Sequence, residues 1–192
     1  MAEWTHLDAQ MGRWAGRLRD DALIPPSDCA RLASAIGAEM AAATDATVRR
    51  LADASPVPLQ ARLDELVAYQ AFAELTNGTP HPALVRARVV TQCYVCFVYL
   101  KDRWFYSLAE AFPQSATVAR VARYLTTGRV RSFRNAFAHG NWRYAEDFSG
   151  LEFWDRGFSA PDKVGQDDMA FWQSLSRCAA YVTIQVSANR AV

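Results

Sequence analysis

The sequence predicts an all-α fold, a bundle of helices carrying one small β-hairpin. Three observations predict it. Apolar residues recur at three- and four-residue spacing over most of the 192 residues. Pro and Gly punctuate that pattern at helix-length intervals. The period falls to two only between Asn141 and Trp154. Apolar residues make up 51% and charged residues 21%, which excludes a disordered or low-complexity chain. The length suits one domain over residues 1–192, and neither an internal repeat nor a long linker divides it.

The elements follow in order. Trp4, Leu7, Met11, Trp14 and Leu18 mark a first amphipathic helix over about Glu3 to Asp20. Pro25-Pro26 ends it, and Ser27 or Asp28 can cap a second helix reaching about Ala52. After the Pro-punctuated link Ser55–Pro58, a third helix spans about Leu59 to Leu75 and stops at Asn77-Gly78. The fourth, about Pro82 to Phe112, is apolar on more than one face and is expected at the centre. A fifth covers about Ser115 to Thr126, and a sixth about Val130 to Ala138, ending at His139-Gly140. The hairpin then places Trp142 and Tyr144 on one arm and Leu151 and Phe153 on the other, around the turn Asp147–Gly150. A polar loop, Gly157 to Asp168, leads to a final helix from about Met169 to Val186.

The longest apolar stretch, Val89 to Leu100, is interrupted by Thr91 and Gln92 and is shorter than the roughly 20 residues of a membrane span. The opening MAEWTHLDAQMGRW has an early acid and no continuous apolar core, unlike a secretory signal. A cytoplasmic protein with no membrane partner is expected. Cys29, Cys93, Cys96 and Cys178 are too few and too scattered for a disulfide scaffold. Cys93 and Cys96 form a lone CxxC with no second pair and no nearby histidines, so they read as buried thiols rather than a zinc site. His6, His81 and His139 make no paired ligand spacing, and no Gly-rich phosphate loop or GxSxG elbow occurs. No cofactor and no metal are expected. Trp104, Phe105 and Tyr106 read as core or dimer interface before a base-stacking platform.

The net charge of +1, from 21 basic and 20 acidic residues, excludes a chain that binds nucleic acid through its overall field. The distribution is less even. No acid lies between Glu110 and Glu146, while Arg120, Arg123, Arg129, Arg131, Arg134 and Arg143 do. Such a stripe suits a phosphate-bearing partner, or else a solvated face compensated by the acidic stretch Glu146–Asp168. Within it stands Arg134-Asn135-Ala136-Phe137-Ala138-His139, of the form RNxxxH. This composition would produce that pattern by chance on the order of 0.006 times per chain. At about 100° per residue, Val130, Phe133 and Phe137 face the core. Arg131, Asn135 and His139 then follow one another on the polar side, with Arg134 flanking them and the small Ala138 beside it. His139 beside Gly140 equally suits a helix C-cap.

An RNxxxH in the penultimate helix of an all-α domain resembles the HEPN superfamily, whose motif is R-x(4–6)-H with a polar residue, often Asn, after the Arg. The continuation AHGNWRYAEDFSGLEFW looks like small prokaryotic HEPN families associated with plasmids and defence loci. The resemblance implies a HEPN-like helical bundle, a homodimer and, in catalytic members, a metal-independent endoribonuclease; other members only bind RNA or partners. The residues fit that chemistry. Attack of a 2′-OH on the adjacent phosphate needs a base, an acid for the departing 5′-oxygen, and cationic stabilisation of the phosphorane. His139 would serve as base or acid, its reference pKa of about 6.5 lying near working pH. Arg134 would hold non-bridging oxygens with its guanidinium fork, and Asn135 would orient His139 or hold the phosphate. Arg129, Arg131, Asn141 and Arg143 are the candidate RNA contacts. One motif histidine does not readily supply both acid and base, so two chains sharing a site across a twofold axis are expected.

Three readings follow. The chain is a dimeric ribonuclease of toxin or defence type, with an antitoxin or other protein as a further partner. Alternatively it is a non-catalytic module binding RNA, nucleotide or a partner protein. In the third reading it is a helical dimerisation protein whose Arg134 and His139 only buttress the fold.

Overall fold

The computed structural model describes residues 29–75, 87, 90–100, 103–146 and 149–191. The expected helix over Glu3–Asp20 and the Asn77-Gly78 stop lie outside them. Helix α1, Cys29–Ala42, buries Leu32, Ile36 and Met40 at four-residue spacing. Helix α2, Asp45–Asp53, is a separate element where one continuous helix was expected. Thr44 makes the break: its backbone is extended and its Oγ1 accepts the Thr47 N–H at 3.2 Å, an N-cap that restarts the helix. Helix α3 runs Leu59–Leu75, the expected limits.

The expected long central helix is not uniform either. Residues 90–93 are helical, Tyr94–Tyr99 forms a π-helical segment, and helix α4 begins only at Trp104 and ends at Ala111. The Leu100 N–H reaches back five residues to the Val95 carbonyl at 2.9 Å. The widened turn directs Cys93, Cys96, Phe97 and Leu100 all into the core. Helix α5, Thr117–Thr126, starts on a carboxylate: the N–H groups of Thr117 and Val118 donate to Glu39 of α1 at 2.7 and 2.8 Å. That acceptor satisfies two orphan donors and suits the helix dipole. Helix α6, Gly128–Ala138, follows after Thr127 alone.

Three short strands come next, β1 Trp142–Tyr144, β2 Gly150–Phe153 and β3 Asp162–Gly165, antiparallel in that order. The hairpin β1–β2 was expected, but β3 replaces part of the polar loop foreseen over Gly157–Asp168. Its Val164, fully buried, pairs with Leu151. One apolar residue in four is too little alternation to read from sequence. Helix α7, Gln166–Ala191, is longer than expected at both ends and packs on α1, α2, α3, α5, the π segment and β3.

The core of the described residues is aromatic. Trp104, Phe105, Phe133, Phe153, Phe171 and Trp172 are all essentially inaccessible to solvent, and the Trp104 Nε1 donates to Thr183 Oγ1 at 3.3 Å. Phe133 sits at the centre, edge-to-face with Phe97 and Phe153 at 5.6 and 5.3 Å. Such pairs add about 0.5–1.5 kcal/mol each beyond their burial. No helix among the described residues is long and apolar enough to cross a membrane.

Candidate nucleic-acid site on helix α6

Helix α6 is fixed at both ends by glycines in the left-handed region. Gly128 starts it at φ +52°, and Gly140 stops it at φ +73°. At the stop, the Gly140 N–H donates to Phe137 O at 3.3 Å and the Asn141 N–H donates to Ala136 O at 2.8 Å. These are the paired bonds of a Schellman C-cap, with His139 as the cap residue. The C-cap expected for His139 is present, and the residue is exposed at the end of the motif.

The expected faces are present. Val130, Phe133, Ala136 and Phe137 are buried, and Phe137 stacks on Trp142 of β1 at 4.8 Å. Arg131 and His139 are exposed, while Asn135 is half-buried between them along the same line. Arg134 is turned further inward than a flanking cation would be. Its Nε is buried without a hydrogen-bond partner, beside a cavity of about 10 Å³ lined by Cys96, Phe97, Phe105, Leu125 and Ser176. That is about the room one water occupies. Burial pulls the Arg134 pKa down and neighbouring Arg131 adds to this; Tyr106 and Asp155 oppose it.

Asn135 meets a residue that motif spacing does not point to. Its Nδ2 donates to Asp155 Oδ2 at 3.3 Å. Asp155 follows β2, and its other oxygen accepts the Arg156 N–H at 2.8 Å. The Phe158 N–H closes the turn on Asp155 O at 3.1 Å, with Gly157 at φ +87°, the angle a type II turn requires at its third residue. The only advance signal was the acidic stretch Glu146–Asp168 placed after an acid-free one.

The remaining expected RNA contacts divide. Arg129 is a strut: its Nε and Nη2 grip Asp162 at 2.8 and 3.1 Å, Nη1 reaches Asp168 at 3.2 Å, and Nη2 also donates to Lys163 O. Its guanidinium lies 5.9 Å from the Trp172 ring centroid. Those hydrogen bonds raise its pKa and hold the Asp162 carboxyl below its ordinary range. Arg143 pairs with Glu152, its cross-strand partner, at 2.7 Å, although most of its side chain is exposed. Asn141 works through its backbone, its carbonyl accepting the Trp154 N–H at 3.1 Å. Only Arg131 stands exposed on the motif helix as foreseen.

No group of three or more His, Cys, Asp or Glu side chains among the described residues could hold a metal ion. Cys93, Cys96 and Cys178 are buried and unbridged. Burial pushes the thiols of Cys93 and Cys178 up to about 12 and that of Cys96 well above its usual range, which keeps them protonated and unreactive as nucleophiles at neutral pH. No protein-family model, curated protein or solved structure matches this chain.

Proposed function

We propose that this chain is a cytoplasmic, metal-independent endoribonuclease of toxin or defence type, HEPN-like in its site and working as a homodimer. The observation that supports it is the end of α6. The RNxxxH motif lies on one helix whose stop is fixed by Gly140, with His139 exposed at the cap. One His139 takes the proton of a 2′-OH as its oxygen forms the new bond to phosphorus. The bond to the 5′-oxygen breaks, and an acid returns a proton to that oxygen. The His139 of the other chain supplies that acid, and Arg134 neutralises the phosphorane.

A second reading has one observation in its favour. The buried Nε of Arg134 shortens the reach of its guanidinium, and Asp155 adds a negative charge nearby. A non-catalytic module that binds RNA, nucleotide, an antitoxin or another protein tolerates both. Digestion of single-stranded RNA in EDTA decides between the readings. The ribonuclease leaves 2′,3′-cyclic phosphate or 3′-phosphate ends, and His139→Ala lowers its rate by about 10²- to 10⁴-fold. Cleavage that demands added Mg²⁺, or that survives the Arg134→Ala/His139→Ala double substitution, ends the proposal. Salt-sensitive binding without cleavage moves the protein to the second reading.

A further inference from the structure

The turn that carries Asp155 has a second property. Trp154 and Phe158 are 36% and 40% exposed, and Arg156 between them is exposed as well. The buried tryptophans Trp104 and Trp172 are 0% and 2% exposed, whereas Tyr94, Tyr106 and Tyr181 share the exposure of Trp154. Phe158 rests on the buried Phe153, ring centroids 5.9 Å apart, and still keeps part of its ring exposed beside Trp154 and Arg156 in sequence. The turn is also placed with care relative to the motif. The Trp154 N–H is bonded to Asn141, two residues after His139, and the side chain of Asp155 is bonded to Asn135, four residues before it. These two anchors straddle His139 in sequence and tie the turn to α6 and to the residues just after it.

We infer that the Trp154–Phe158 turn is the nucleobase-binding edge of this site, on which unpaired bases of a single-stranded RNA stack while the backbone runs past Arg131, Arg134 and His139. The inference rests on reading the motif as an RNA site. Charge favours this occupant. Two nearby carboxylates are paired with cations, Glu152 with Arg143 and Asp162 with Arg129, while Asp155 keeps its charge on two neutral donors and is turned to Asn135. Arg131 and Arg156 add positive charge at the exposed surface, where phosphates would lie. Aromatic faces take any base, and only unpaired bases can offer theirs, so the edge selects single strands over duplex without reading sequence. Because Asp155 already fixes the turn, little ordering opposes binding.

The test is fluorescence anisotropy with a short labelled 2′-O-methyl single strand, which lacks the attacking hydroxyl and stays intact. Trp154→Ala is expected to weaken binding about tenfold, Phe158→Ala somewhat less, and Trp154→Phe no more than about threefold, because a face remains. Arg156→Ala should weaken binding and lower the salt slope by about one. The same sequence as a duplex should bind less tightly and ignore Trp154. Wild-type affinity in Trp154→Ala overturns the inference, as does an unbound wild type. A Trp154→Ala protein that changes from dimer to monomer by light scattering also overturns it, since the rings then cover a second copy. Trp154→Phe separates lost stacking from misfolding. Cleavage is scored independently with unmodified RNA. Cleavage with Trp154-independent binding sinks the stacking edge alone, and Trp154-dependent binding without cleavage sinks only the nuclease reading.

Discussion

Asn135 donates to Asp155 across 20 residues of sequence, and this one bond joins the motif helix to the turn after β2. A double-mutant cycle should show it. Asn135→Ala and Asp155→Ala are each expected to destabilise by about 1 kcal/mol, with a coupling of at least about 0.5 kcal/mol in urea unfolding. Strict additivity would mean that the two residues do not act on one another in solution.

Arg134 packs against the core and, in the proposed function, neutralises the phosphorane; substitutions can separate the two. Its Nε is buried beside Phe97, Phe105 and Leu125, so Arg134→Ala should lose packing as well as charge, about 1–2 kcal/mol in stability. Arg134→Met keeps most of the apolar stem and should retain more of that stability while losing RNA cleavage. Arg134→Lys should restore cleavage only in part, because a point charge does not reproduce the fork. Full activity in Arg134→Met would remove this residue from the chemistry.

Arg129 should behave oppositely. Arg129→Ala leaves Asp168, largely buried, without this partner, and about 1–2 kcal/mol of stability should go; partial exposure of the guanidinium keeps the figure modest. The sign with pH follows from Asp162. Its folded pKa lies below the unfolded value, so its stabilisation is present above the unfolded value and is lost as pH falls through the folded one. The acid limb of the stability profile should flatten in Arg129→Ala. RNA affinity should change less than in Arg131→Ala, as read by anisotropy.

Two glycines should differ sharply. At Gly140 a Cβ meets open space, so Gly140→Ala should lose about 1–2 kcal/mol through its positive φ alone. At Gly150 a Cβ would lie 2.0 Å from the Val164 carbonyl oxygen, so Gly150→Ala must push β2 from β3. A loss beyond about 3 kcal/mol is expected there by thermal or urea unfolding.

The thiols predict an alkaline weakness. Cys93 and Cys178 are raised from 9.0 to about 12 by burial, so the folded state keeps protons that the unfolded chain releases. Stability from these groups is complete below pH 9 and is lost as pH rises toward 12, with a slope of up to about 1.4 kcal/mol per pH unit for each thiol. Above pH 10 Arg177, lowered to about 10 by burial, would act in the opposite sense, so pH 8–10 is the informative window. Cys178→Ala should remove one thiol's share of the slope in urea unfolding.

Much of this was legible in the residues themselves. Leu59–Leu75 shows its limits because Pro58 precedes the helix and the apolar period ends with it. The stop at His139-Gly140 and the buried line Val130, Phe133, Phe137 were readable because both depend on local geometry. The Thr44 break escaped because a threonine inside an Ala-rich run signals a cap only once the chain turns there. The π segment is a shift in hydrogen bonding that leaves apolar composition unchanged. Asp155 and the strut role of Arg129 depend on contacts between residues 20 to 39 positions apart, which no helical or strand period encodes.

Helix α7 carries a consequence for how the protein reaches this state. Arg190, near its end, donates to Met40 O at 3.0 Å across 150 residues and to Asp45 at 2.6 Å across 145. Helical proteins commonly fold fast because most of their contacts are local, and closing long loops before any contact rewards them slows the search. Here α1 and α2 gain a major part of their cover from the last helix of the described chain. The folding rate should therefore resemble that of a mixed α/β domain more than that of an up-and-down bundle.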